Sequence, residues 1–193
     1  MTETKTLSIK NIALIGVITA VTCILAPMSV PIGLVPISLT NLVIYFGLYI
    51  LGTSKGTISY LVYLLLGLVG LPIFSGFSAG PQKLFGPTGG YLIGFIPMAI
   101  IAGIFIEKSG RKIVLSMVGM ILGTAVCYAF GSAWLAYQAH MTFWEAIAAG
   151  VSPFIIGDLI KMVLAALVAP QIYKALVRAN VLSGEQNQKV SIS

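Results

Sequence analysis

Two charged residues stand deep inside one apolar run, Asp158 and Lys161, in the segment Pro153-Phe-Ile-Ile-Gly-Asp158-Leu-Ile-Lys161. Spaced i, i+3, they share one face of a helix. With Ser152 as N-cap and Pro153 opening that helix, a rise of about 1.5 Å per residue sets them about 8 to 15 Å from its outer end. Lys161 is then too deep to snorkel easily. A carboxylate accepts N–H bonds and an ammonium donates three, so the pair is equipped to grip a small polar head group that carries both donors and acceptors. The plainer reading is a neutral buried ion pair that locks helices together. Ionisable residues at membrane depth are costly, however, and they commonly line a pathway or a ligand site.

A second stretch with chemical potential is Leu71 to Gly94, LPIFSGFSAGPQKLFGPTGGYLIG, with Gly76, Gly80, Gly86, Gly89 and Gly90 interleaved with Pro72, Pro81 and Pro87. Glycine entropy and the missing proline N–H argue for a loop, and irregular backbone among apolar spans suits a ligand cover. Thr88, Gly89, Gly90 and Tyr91 bring loop amides and a helix N-terminus together, a place for a carboxylate tail, with a simple turn as the alternative. Lys83 is the cation nearest to it in sequence. His140 reads as a surface residue and Glu145 as part of a cap. Trp134, Tyr137 and Trp144 fit an aromatic belt or, less simply, the wall of an apolar site. No G-x-x-x-x-G-K-[ST], H-E-x-x-H, nucleophile elbow or carboxylate pair is present. Five acidic residues in all are too few for a proton relay. Cys23 and Cys127 lie in apolar runs without metal-ligand spacing and read as buried thiols, so no metal site is expected.

The elements that must hold these groups follow from composition. With 58% hydrophobic and 8% charged residues, against roughly a quarter charged in soluble domains, the chain reads as an all-α, polytopic membrane protein in contact with lipid. Six spans are expected as one domain, at about 10–27, 37–52, 55–71, 90–107, 112–137 and 151–177. The first is a retained helix, since no small-residue cleavage site follows it. It carries Gly16 and Ala20, a small-xxx-small pair that serves packing within the chain or docking of another subunit. Residues 26–37 are expected to be a loop, and Pro170 to kink the last helix. Thr142-Phe-Trp-Glu145 fits a capping box that opens a short interfacial helix. Basic residues are strung between the spans rather than gathered in a patch, which argues against nucleic acid. Lys5, Lys10, Lys55, Lys108, Arg111, Lys112, Lys174, Arg178 and Lys189 fall on one side and Lys83 on the other, so both termini are expected in the cytoplasm. The glycine-rich stretch then faces outward.

Taken together, Leu64-Leu-Leu-Gly-Leu-Val-Gly-Leu-Pro72-Ile-Phe, Gly86-Pro-Thr-Gly-Gly-Tyr-Leu-Ile-Gly-Phe95 and the Gly157-Asp158-x-x-Lys161 element resemble the BioY family, the biotin-specific S components of bacterial energy-coupling factor (ECF) transporters. The resemblance runs from the first span to the last. It implies a six-helix capture subunit in a bacterial cell membrane that binds biotin from outside as cargo, with no cofactor and no catalysis. A transmembrane coupling subunit and two ATPases would be its partners, with Gly16 and Ala20 on the docking face. By the same resemblance Asp158 and Lys161 hold biotin. Two assignments stay open: Asp158 on the ureido N–H groups and Lys161 on the ureido carbonyl, with Thr88 to Tyr91 and Lys83 at the valerate, or Lys161 on the carboxylate. One departure is visible, for Ser38-Leu39-Thr40-Asn41 stands where the resemblance leads to a Thr-Leu-Gln run. Two other functions remain in view. A self-sufficient proton-coupled carrier would have Asp158 as its titrating site, and an intramembrane enzyme would need a second catalytic group beside Asp158.

Overall fold

The computed structural model describes residues 9–32 and 34–182, so Lys5 and Lys189 of the charge argument lie outside the described residues. In chain order the elements are α1 (Ile9–Leu25), β1 (Ser29–Ile32), β2 (Val35–Ser38), α2 (Thr40–Leu51), α3 (Thr53–Val69), α4 (Pro81–Leu84), α5 (Gly89–Lys108), α6 (Ile113–Ala139), α7 (Phe143–Gly150) and α8 (Ile155–Arg178). Helices α5, α6 and α8 are each long and apolar enough to cross a bilayer. Helices α1, α2 and α3 are apolar but shorter, at 17, 12 and 17 residues. At about 1.5 Å per residue, α2 extends about 18 Å, well below the about 30 Å of a hydrocarbon core.

Three local expectations are corrected. Residues 26–37 are not a plain loop: β1 and β2 pair antiparallel with Pro31 opposite Pro36. Proline has no N–H for a ladder, so the two can face each other only at a pair that exchanges no hydrogen bonds, which makes them compatible with a two-stranded hairpin. The glycine-rich stretch contains a helical turn, α4, because Pro81 at its first position is already set to helical φ. Finally, α8 begins at Ile155 and not at Ser152–Pro153. Ser152 N–H bonds Ile147 O at 3.2 Å and Phe154 N–H bonds Val151 O at 2.9 Å, so these residues form the turn that leaves α7. Asp158 therefore sits in the first turn of α8, about 4.5 Å from its start, with Lys161 about 9 Å in.

Apolar side chains point both ways, as lipid requires. Tyr45, Tyr49, Tyr60, Tyr63 and Phe74 are sealed inside, while Val114, Leu122, Ile156 and Val163 are exposed. Inside, two of these tyrosine hydroxyls find partners across helices: Tyr45 Oη lies 2.6 Å from Thr124 Oγ1, and Tyr60 Oη donates to Leu92 O at 2.8 Å. Helices α5 and α6 meet through glycine. A Cβ at Gly119 would lie 2.2 Å from the Phe105 side chain, and one at Gly131 2.2 Å from the Tyr91 ring.

The two ends of the bundle differ. At one end Lys10 Nζ bonds Asn180 O, Lys55 Nζ bonds Asn11 Oδ1 at 2.9 Å, and the Arg111 guanidinium lies 3.6 Å over the Tyr173 ring. The other end carries the hairpin, α4, α7 and the starts of α2, α5 and α8. There the segment between α3 and α5 is pinned rather than loose. Phe74 is fully buried against Gly67 and Tyr63, and Gly80 N–H bonds Gly67 O at 2.8 Å. Farther along the segment, Trp134 Nε1 donates to Gly86 O at 2.9 Å. Gly76 N–H reaches Pro27 O at 3.1 Å and ties this segment to the hairpin.

Candidate functional site

Helix α8 presents Asp158 and Lys161 on one face, each only 8% exposed. Lys161 Nζ lies 3.0 Å from Asp158 Oδ1. The other carboxylate oxygen, Oδ2, accepts from Tyr128 Oη of α6 at 2.7 Å. The ammonium also donates to Ser38 O at 2.7 Å and to Asn41 Oδ1 at 3.2 Å, which ties the end of the hairpin and the first turn of α2 to α8. The positive end of the α8 dipole further favours a negative charge at Asp158. This pair is not closed on itself, because its partners come from α2, α6 and the hairpin.

The same residues line a cavity that opens to solvent. Ser38, Asn41, Tyr128, Asp158 and Lys161 make one wall polar. Tyr63, Leu92, Phe95 and Phe154 supply apolar and aromatic surface, and Ser75 and Thr88 belong to the segment between α3 and α5. Such a lining suits a small molecule with a compact hydrogen-bonding head and an apolar body.

Of the residues singled out from sequence, Thr88, Tyr91, Asp158 and Lys161 lie around this cavity, whereas Lys83, Gly89 and Gly90 are not in its lining. The two glycines are buried and packed: a Cβ at Gly89 would fall 1.6 Å from Leu84 O, and one at Gly90 2.2 Å from Trp134 Cβ. Nearby amides are already engaged, with Gly89 N–H on Gly86 O at 3.0 Å and Tyr91 N–H on Thr88 O at 3.2 Å. Lys83 sits on α4, where burial lowers its pKa from the ordinary lysine value. Glu145 and Thr142 form the capping box of α7, with Glu145 N–H on Thr142 Oγ1 at 3.3 Å and Thr142 N–H on Glu145 Oε2 at 2.7 Å. On α1, Gly16 and Ala20 are exposed. They line an apolar groove with Ile12, Ile24, Val62 and Leu66, and a Cβ at Gly16 would meet nothing within 4 Å.

Among the polar side chains of the site that escaped the sequence reading are Tyr128 and Asn41, which bond the charged pair. Tyr128 is one of eight tyrosines with no distinguishing spacing. Asn41 had a signal, since an amide in the first turn of an apolar helix has to find a partner.

Comparison with known proteins agrees with this architecture. The model of the BioY family matches residues 1–178. The biotin transporter BioY of Thermotoga maritima is 39% identical over 159 residues, 82% of this chain and 93% of the relative. Biotin transporter BioY2 of Lactococcus lactis subsp. cremoris is 32% identical over 180 residues, 93% of this chain and 97% of the relative. A crystal structure of the S-component for biotin from an ECF-type ABC transporter superposes with a TM-score of 0.80 at 29% identity, covering 90% of this chain and 95% of that one. With its family model matched over nearly all of its described length and its cavity built around the Asp158–Lys161 face, this chain belongs to the BioY family.

Proposed function

We propose that this chain is the biotin-capturing S component of an ECF-type transporter, a binding subunit and not an enzyme, with biotin as cargo and no cofactor. The observation that carries the reading is the pairing of Asp158 and Lys161 on one wall of a cavity that also presents the apolar and aromatic surface of Leu92, Phe95 and Phe154. Biotin offers a ureido ring with N–H donors and a carbonyl acceptor, a hydrocarbon and thioether body, and a carboxylate tail. The ureido head fits Asp158 and Lys161; the body fits Leu92, Phe95 and Phe154; the tail runs toward Thr88 and Tyr91 at the start of α5, with Lys83 of α4 as its cation. The chain spans the cell membrane six times, α1, α2 and α3 included, and both termini face the cytoplasm. Its cavity then opens outward. Uptake relies on a transmembrane coupling subunit and two ATPases, and the exposed Gly16–Ala20 face of α1, where a Cβ at Gly16 would meet nothing within 4 Å among the described residues, is the docking surface.

The test is direct binding of biotin to the purified protein. Asp158→Asn and Lys161→Ala should each weaken it at least tenfold, about 1.4 kcal/mol. Undiminished binding by both variants would remove the site assignment, and absence of biotin binding by the wild type would remove the function.

A further inference from the structure

We infer that Asn41 is a substrate-contacting residue whose carboxamide NH2 donates to the acceptor oxygen of the bound head group, so that Asn41 selects a urea carbonyl over a donor-only group at that position. The inference rests on the proposed biotin site and adds to it a contact made by neither member of the charged pair.

The argument is one of donors and acceptors. An ammonium has three N–H bonds and no lone pair. Those of Lys161 meet three protein oxygens, Ser38 O, Asn41 Oδ1 and Asp158 Oδ1. Because an ammonium can only donate, the Asn41 oxygen has to face it, and the orientation of the amide, otherwise a matter of assignment, is set by chemistry. The Leu42 N–H on the same oxygen at 3.1 Å holds it there. The NH2 group must then point elsewhere. It has no protein partner among the described residues. It is also not sealed in, since the sealed side-chain polar atoms without a partner among the described residues are Tyr49 Oη and Thr57 Oγ1. Asn41 is 4% exposed and lines the cavity, so the accessible side of its amide is the cavity side.

Asp158 completes the pattern. Each of its oxygens accepts one protein donor, from Lys161 and from Tyr128, which leaves lone pairs for N–H groups of a ligand. A cyclic urea needs acceptors for its N–H groups and a donor for its carbonyl. Asp158 supplies the first and Asn41 the second, while Lys161 would have to give up a protein bond to contribute. A site with an unfilled donor rejects ligands that bring only donors, because the buried N–H then has nothing to meet.

The experiment measures binding of biotin and of 2-iminobiotin, at a pH where the latter is a guanidinium cation, to full-length wild type, Asn41→Asp and Asn41→Leu. Both ligands share the same tail, so their affinity ratio isolates the head group. Wild type should prefer biotin at least tenfold. Asn41→Asp keeps an acceptor for Lys161 but has no donor, and its ratio should fall at least tenfold or invert. Asn41→Leu should lower the ratio as well, which gives a second reading should the aspartate variant fold poorly. An unchanged ratio in either folded variant, or a wild type without preference, overturns the inference while leaving biotin capture intact. A wild type that binds neither ligand overturns both.

Discussion

Removing Asp158 and Lys161 from water costs several kcal/mol per ion, and their attraction offsets this only when the remaining lone pairs and protons are also satisfied. Tyr128, Asn41 Oδ1 and Ser38 O do that here, so the Tyr128 hydroxyl is expected to shape affinity through the pair. Tyr128→Phe keeps the ring in the wall and deletes the hydroxyl on Asp158; biotin affinity should fall about threefold to tenfold, which titration calorimetry would register. Lys83 allows a pH test. Burial lowers its pKa from the ordinary value near 10.5. Its attraction for a carboxylate is present below that lowered pKa and disappears as pH rises through it. Biotin affinity should therefore decline on the alkaline side below pH 10.5, and affinity for biotinamide, which has no tail charge, should not. Parallel curves for the two ligands would remove Lys83 from the tail site. At this scale the charges were legible in the sequence because so few exist in an apolar chain. Tyr128 was not, since its hydroxyl is selected by a neighbour thirty residues away.

Close helix contact, rather than backbone freedom, explains several glycines. Gly131 admits the Tyr91 ring between α5 and α6, so Gly131→Val should overpack that contact by about 1–3 kcal/mol and lower Tm in detergent by several degrees. A variant as stable as wild type would mean the helices can separate there without loss. For α7, the hydrogen bonds from Thr142 hold the Glu145 carboxyl below the usual carboxylate range. Its contribution is thus complete above the ordinary carboxylate pKa and is lost as pH falls through the lowered one. Thr142→Ala should speed amide exchange over 143–150 at neutral pH, and the difference from wild type should narrow, without closing, as acid protonates Glu145 and leaves only its N–H bond to Thr142 Oγ1. The capping box was readable from four residues because its bonds are local. The hairpin was not, because two prolines in each other's company are tolerated only by a pairing that sequence order does not reveal.

At the scale of the molecule, the binding cavity and the Gly16–Ala20 face belong to different surfaces, which makes capture and coupling separable. Gly16→Leu and Ala20→Leu should leave biotin affinity within about twofold, since neither residue lines the cavity. The same variants should lose co-purification with the coupling subunit and biotin uptake by cells. Retained uptake would move the docking surface elsewhere. Composition and spacing alone established a helical membrane protein, its candidate polar face on the last helix, its basic and bare ends and its family resemblance, because hydropathy, helical period and charge are properties of neighbouring residues. Tertiary packing decided which wall faces Asp158, that Gly89 and Gly90 close helix contacts, and that the hairpin and α2 reach Lys161. Those depend on residues as far apart as Ser38 and Lys161, brought within 2.7 Å only by the folded bundle.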